Sequence, residues 1–190
     1  MPKIRAATVA EHRTAQREAL FSAAAALITE GSAVTVGEVA KHVGISRSAV
    51  YQYYSSSADL IADVLVDELA KWADELGAAT CDVFDPCDRI TAWITVVIEY
   101  VADGRHALVR AAGDIELPAT RRAQVQHMHR ELIAPLHAAM AALGVSDAER
   151  MSRYVWGVVE ASISRIESGR VSAADELDAL LGFVQRGITE

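Results

Sequence analysis

Cysteine is nearly missing from this chain: 190 residues hold two, Cys81 and Cys87, in a stretch that reads as a loop. Two thiols without further cysteine partners cannot form a zinc cluster, so both are expected to be reduced and incidental. Proline is scarce too, with four residues, and leaves long segments free to be helical. No run approaches the roughly 18 to 20 uninterrupted apolar residues of a membrane span. The first twenty residues lack the apolar core of a signal peptide. A cytoplasmic protein with no membrane partner is therefore expected. No segment alternates apolar and polar residues as a half-buried strand does, and there is no internal repeat. What is present is apolar content of 52%, recurring at helical spacing. The fold class is all-α, with about nine helices.

Charge is unevenly spread. The net charge is −8, which argues against a nucleic-acid partner for the chain as a whole. Residues 1–57 nevertheless hold six Lys/Arg against four Asp/Glu, and residues 58–190 hold twelve against twenty-two. A slightly basic head on an acidic body suits a protein that meets phosphates at one end only.

A first helix is expected from about Thr8 to Glu30, with Leu20, Ala24, Leu27 and Ile28 on its core face and Gly31 closing it. Residues 35–60, TVGEVAKHVGISRSAVYQYYSSSADL, then read as two short helices with a tight turn between them. Thr35 and Glu38 have the spacing of a capping box. Val36, Val39, Ala40 and Val43 form one apolar stripe, and Gly44 supplies a left-handed stop. Ser46 caps the next helix, whose Ala49, Val50 and Tyr53 have the spacing to dock on the first. Such a pair is a helix-turn-helix, with its second helix in the major groove of DNA.

Ser56 and Asp59 open a fourth helix striped by Leu60, Val64, Leu65, Leu69, Trp72 and Leu76. A break is expected from Gly77 to Asp88, then a helix from Arg89 to Asp103 that is apolar almost all round, as in an enclosed helix. A short segment from Arg105 to Ala112 and a helix from Ala119 to Leu143 follow. Ser146 with Glu149, and Ser172 with Asp175, are capping pairs for the last two helices, ending near Ser168 and Gly187.

The stretch from Thr35 resembles the TetR family of bacterial repressors, whose signature is a helix of the type TVxxIAxxAGVS and then xxxLYxHFxSKxxL. The matching residues are Thr35-Val36-Gly37-Glu38-Val39-Ala40, Gly44-Ile45-Ser46, Val50-Tyr51-Gln52-Tyr53-Tyr54, and Ser56 through Leu60, about the first third of the chain. The resemblance implies nine helices, a three-helix DNA-binding domain over 1–57 and a ligand-binding and dimerisation domain over 58–190. Two positions depart from the pattern. Ser57 stands where the family usually has a phosphate-contacting lysine, and Gly37 stands where it often has a base-contacting side chain.

Arg47 and Ser48 lie at the start of the recognition helix, within reach of base edges, and Gln52 follows on the same face. Arg with guanine and Gln with adenine are the matched pairs. Tyr51 and Tyr53 suit phosphates, as the family's positions also imply, and Tyr54 takes the buried aromatic position. With Thr35 and Ala49 these make the expected DNA-contact set. Lys3, Arg5, Arg13 and Arg17 are further candidates for phosphate or minor-groove contact.

In the body, Trp72, Trp93, Tyr100, His106, Arg110, His127 and Tyr154 come from helices that pack together in this architecture, and they are the expected lining of a small-molecule pocket. Arg110 or Arg122 would favour an anionic ligand. Met151, Tyr154, Val155, Val158, Ser162 and Ile166 on one helix, with Gly157 and Ala161 allowing close approach, line a broad apolar face. Leu177, Leu180, Leu181, Val184 and Ile188 line the next. The resemblance implies that these two helices pair with their copies in a homodimer.

The function expected is a ligand-responsive repressor that binds a palindromic operator and is released by a small hydrophobic or aromatic effector. No cofactor, metal or catalytic residue is expected, since no HExxH pattern, phosphate-cradling loop or nucleophile elbow occurs. Two alternatives remain. Ser57 and Gly37 suggest a ligand-binding protein with weakened or lost DNA binding. His127, His129 and Glu131, with Glu99 or His106, are the only hint of a metalloenzyme.

Overall fold

The computed structural model describes residues 6–113 and 115–189, the side chains of 6–10, 111–113 and 189 excepted. Among the described residues there are nine helices and no strand. They are α1 (Ala6–Thr29), α2 (Val36–Val43), α3 (Arg47–Val50), α4 (Ser57–Cys81), α5 (Pro86–Ala102), α6 (His106–Gly113), α7 (Ala119–Ala142), α8 (Ala148–Glu167) and α9 (Ala173–Thr189).

Several stops and starts are where the local chemistry puts them. Gly31, at φ 68°, ends α1, with Ser32 N–H donating back to Leu27 O at 2.9 Å. Gly44, at φ 77°, ends α2. Ser46 Oγ accepts from Ala49 N–H at 3.2 Å, and Ser56 Oγ accepts from Asp59 N–H at 3.1 Å. Ser172 Oγ both accepts from Asp175 N–H and donates to its carboxylate.

Other boundaries need correcting. Thr35 Oγ1 caps Glu38 N–H at 3.1 Å, but the box is half-formed: Thr35 N–H donates to Ala33 O and the Glu38 carboxylate faces Lys41. The expected break from Gly77 to Asp88 is confined to residues 82–85. α4 continues to Cys81, where Thr80 Oγ1 donates to Leu76 O at 2.7 Å. α5 starts at Pro86, not Arg89, because Asp85 accepts from Cys87 and Asp88 N–H and proline suits the first helical position. α8 is capped by Asp147, not Ser146: its carboxylate accepts from Arg150 N–H at 3.0 Å.

The described chain forms two compact units. The first comprises residues up to Asp67 together with Leu108–Val125; the second comprises Glu68–Ala107 and Gln126 onward. In the first, Leu20, Leu27, Val39, Val50, Tyr54 and Leu60 are buried in one apolar core that also takes in Leu108 and Leu117. Each large side chain so buried contributes about 1.5–3 kcal/mol of transfer free energy. This unit is larger than the expected domain 1–57, since residues 108–125 belong to it. In the second unit α5 packs against α8 and α9. Its inner face is Ile90, Trp93, Ile94, Val97, Ile98 and Tyr100, an almost continuous girdle of the kind an enclosed helix requires.

Candidate nucleic-acid interface and the aromatic clusters

The core of the first unit fixes which side of α3 faces outward. Val50 is completely buried and Tyr54 nearly so, which ties the turn after α3 to α1, α2 and α4. Arg47, Ser48 and Gln52 are left exposed, and Tyr51 is 58% exposed. Ala49 is half-buried, as is Tyr53, whose ring packs on the core with the Arg13 guanidinium 5.9 Å from its centroid. Thr35 is exposed and spends its hydroxyl on the α2 cap. Lys3 and Arg5 lie outside the described residues. Arg17 is not free for DNA in the way the sequence suggests: its Nη2 pairs with Asp63 at 2.7 Å and its Nε donates to the Tyr54 hydroxyl at 3.3 Å. Those two bonds hold the Arg17 guanidinium above its ordinary pKa, the tyrosine bond counting most. Burial pushes the Tyr54 phenol up.

Thr35, Gly37, Arg47, Tyr51 and the run Ser55 to Ser57 surround one open hollow. Among the described residues no carboxylate lies within ion-pair distance of Arg47. An uncompensated guanidinium among hydroxyls is chemically suited to an acceptor-rich polyanion. Both departures from the repressor signature, Gly37 and Ser57, lie in this hollow.

The sequence model of the bacterial regulatory proteins of the tetR family matches residues 20–64. Over those residues the chain is similar to the tetR family. An uncharacterized helix-turn-helix-type transcriptional regulator of Mycobacterium tuberculosis is 29% identical over 86 residues, which is 44% of this chain and 43% of that protein. The chain thus matches less than half the length of that curated relative. The fold is similar to that of a TetR-like transcriptional regulator from Rhodococcus (TM-score 0.73, 19% identity, covering 91% of this chain and 96% of that one). It is also similar to the regulator FadR from Bacillus subtilis, solved in complex with stearoyl-CoA (TM-score 0.74, 12% identity, covering 88% and 96%). At these identities the likeness is one of fold.

In the second unit, the expected pocket residues separate into two aromatic clusters and a surface remainder. Trp72 lies flat on Tyr100, ring centroids 4.2 Å apart and planes 8° apart, with His106 edge-on at 6.1 Å. The Tyr100 hydroxyl donates to Glu68 at 2.8 Å; burial, then that carboxylate, pushes the phenol well up. Arg105 caps the far side of Tyr100 at 4.4 Å and forms a fork with both oxygens of Glu75, holding that carboxyl below its usual value. His106 Nδ1 lies 2.8 Å from Glu167. Two donors in this cluster, Trp72 Nε1 and Arg105 Nε, are buried without a hydrogen-bond partner. Such donors cost about 1–3 kcal/mol each.

The second cluster joins Trp93, Trp156 and His129. Trp93 Nε1 donates to Leu132 O at 2.8 Å, and burial holds His129 below its ordinary pKa. Tyr154 is 62% exposed, and His127 is exposed and paired with Glu131 along α7 at 3.7 Å; neither joins a cluster. Arg110 is exposed and belongs to the first unit, where Arg122 Nη2 donates to Leu117 O. Among the described residues no three His, Cys, Asp or Glu side chains are grouped to hold a metal. The sequence reading missed Arg105, Glu68 and Glu75. Their signal was available: Glu68, Trp72 and Glu75 fall at i, i+4 and i+7 on one face of α4, two carboxylates on an otherwise apolar stripe.

Proposed function

We propose that this chain is a dimeric, ligand-responsive transcriptional repressor of the tetR family, acting in the cytoplasm. The outward face of α3 carries the reading: Arg47, Ser48 and Gln52 are exposed on a short helix pinned from behind by Val50 and Tyr54. Arg47 and Gln52 read base edges, while Tyr51 and Tyr53 set register on phosphates. Residues 1–57 form the DNA-binding domain, and 58–190 bind the effector and the second protomer. Tyr154 on α8 and Phe183 on α9, at 62% and 58% exposure, are the apolar side chains a partner copy would cover. Among the described residues no helix is long and apolar enough to cross a membrane.

The effector is a hydrophobic molecule with at least one hydrogen-bond acceptor. The Trp72–Tyr100 stack supports the first property, and Trp72 Nε1 and Arg105 Nε, buried without a hydrogen-bond partner, support the second. The stearoyl-CoA held by FadR of Bacillus subtilis makes acyl thioesters a sound first set of compounds. α4 contributes residues to both units, so a ligand that prefers one disposition of this helix would alter the separation of two recognition helices. A palindrome holds that separation near one turn of DNA, roughly 34–36 Å. Selection from a randomised duplex pool, followed by mobility shifts with and without acyl-CoAs and aromatic acids, tests the proposal. Recovery of a palindrome whose complex dissolves with one ligand class is the expected result. Failure to enrich any sequence would refute it.

A further inference from the structure

Gly37, the second residue of α2, sits directly beneath the side chain of Arg47. A Cβ built on Gly37 would lie 2.8 Å from Arg47 Nη2 and 3.1 Å from both Cζ and Nε. The first distance is shorter than real Cβ contacts, the other two are tight, and all three atoms belong to the guanidinium. Its Nη2, Cζ and Nε therefore all lie close to the α2 backbone at a place only glycine leaves open. Glycine is a poor helix former and its φ here is not positive, so backbone conformation does not call for it. Space does.

We infer that Gly37 is a specificity-determining position by virtue of its missing side chain: it seats the Arg47 guanidinium against α2 and so selects which base edge Arg47 meets. The inference rests on the reading of α3 as the recognition helix. Arg47 leads α3, and its long side chain has many rotamers when unsupported. Contact with α2 removes most of them, and an arginine fork discriminates between bases only when its plane is held in register with the acceptors. A Cβ at 37 meets first the far end of a flexible arginine. Relief is by moving Arg47 rather than by disturbing the helix pair, so the substitution changes DNA preference without unfolding the head.

The test is a double-mutant cycle on the full chain. A palindrome is first selected with the wild type from randomised duplex DNA. Affinities of the wild type, Gly37→Ala, Arg47→Ala and the double variant are then measured on that duplex, on each single-base variant of one half-site, and on random-sequence DNA. Arg47→Ala should relax preference at one base pair by about tenfold. Gly37→Ala should shift preference at that same base pair, and the double variant should match Arg47→Ala alone. Helical circular dichroism and melting of Gly37→Ala should stay at or above wild type. A Gly37→Ala protein with unchanged base preference, or losses that simply multiply in the double variant, overturns the inference while Arg47 remains the reader. Equal loss by Arg47→Ala on all DNAs overturns base reading by Arg47 and the inference with it. Absence of any selected sequence overturns the DNA-binding reading itself.

Discussion

Arg121 Nε donates to Asp59 Oδ1 at 2.7 Å, joining the first turn of α7 to the first turn of α4 across 62 residues of sequence. Its Nη1 reaches Asp63 at 2.9 Å, and Asp63 also takes Arg17 of α1. One arginine thus ties residues 119–125 to the helix that follows the recognition turn, all within the first unit. The groups are about a quarter exposed or less, apart from Arg17, so the bonds lie between the surface and buried regimes. Arg121→Ala should destabilise the protein by about 1–2 kcal/mol. Urea unfolding with an unchanged slope is the check; a loss indistinguishable from zero would mark the bridge as ornamental.

The same bridge sets a pH dependence. Hydrogen bonding by Arg121, ahead of that by Ser55, holds the Asp59 carboxyl below its ordinary value of 3.8. A depressed folded-state pKa stabilises the fold above the unfolded value, and that contribution disappears as pH falls through the folded value. The melting difference between wild type and Arg121→Ala should be constant above about pH 5 and shrink below pH 3.8. Thermal melts at several acidic pH values decide it; a difference that grows on acidification contradicts the assignment.

Trp93 is completely buried and its indole N–H satisfies Leu132 O. Trp93→Phe keeps most of the apolar volume but removes the indole's bond to that carbonyl, for an expected loss of about 0.5–1.5 kcal/mol. Trp93→Ala adds a cavity and should cost about 3–5 kcal/mol. Calorimetry on both variants separates the hydrogen bond from the volume. A Trp93→Phe loss indistinguishable from zero would show that the bond contributes nothing.

The proposed dimer predicts that a carboxylate in the α8–α9 face dissociates the protein. Val158 is half-buried and lies one turn from exposed Tyr154 and beside exposed Gly157 and Ala161. Val158→Glu would place an unpaired charge in the interface, at a cost far above that of a surface substitution. Light scattering at micromolar concentration should give twice the monomer mass for the wild type and the monomer mass for the variant. A monomeric wild type that still binds a palindrome normally would refute the arrangement.

Effector and operator should weaken each other by the same factor. Trp72 lies in the candidate ligand cluster and is stacked on Tyr100, so its fluorescence should report binding by any compound that enters. Trp72→Phe should abolish the signal change and weaken compounds whose acceptor faces the indole nitrogen. A ligand that shifts fluorescence but leaves operator affinity untouched separates binding from regulation.

The features legible in the sequence are those whose partners lie within a few residues. Thr35, Ser46, Ser56 and Ser172 cap N–H groups three positions on, and Gly31 and Gly44 take left-handed conformations that L side chains resist. The apolar stripe of α4 and the girdle of α5 follow from a period of 3.6 and needed no fold to be seen. Even at this range two adjacent candidates defeat a local reading: Ser146 and Asp147 both precede α8, and only the chain direction there selects the aspartate.

Sequence alone therefore determined an all-helical chain with a helix-turn-helix near its start, because hydrogen-bonded caps and helical periodicity are local chemistry. Tertiary structure alone decided the rest. α4 runs on through Gly77 because Leu76 and Thr80 are buried around that breaker, and packing outweighs a propensity of about 1 kcal/mol. Which arginine joins the aromatic cluster, that Arg121 closes on Asp59, and that Gly37 makes room for Arg47 all depend on groups 10 to 62 positions apart approaching within a few ångströms. No pattern along the chain records that approach; only the folding of helices onto a shared core produces it.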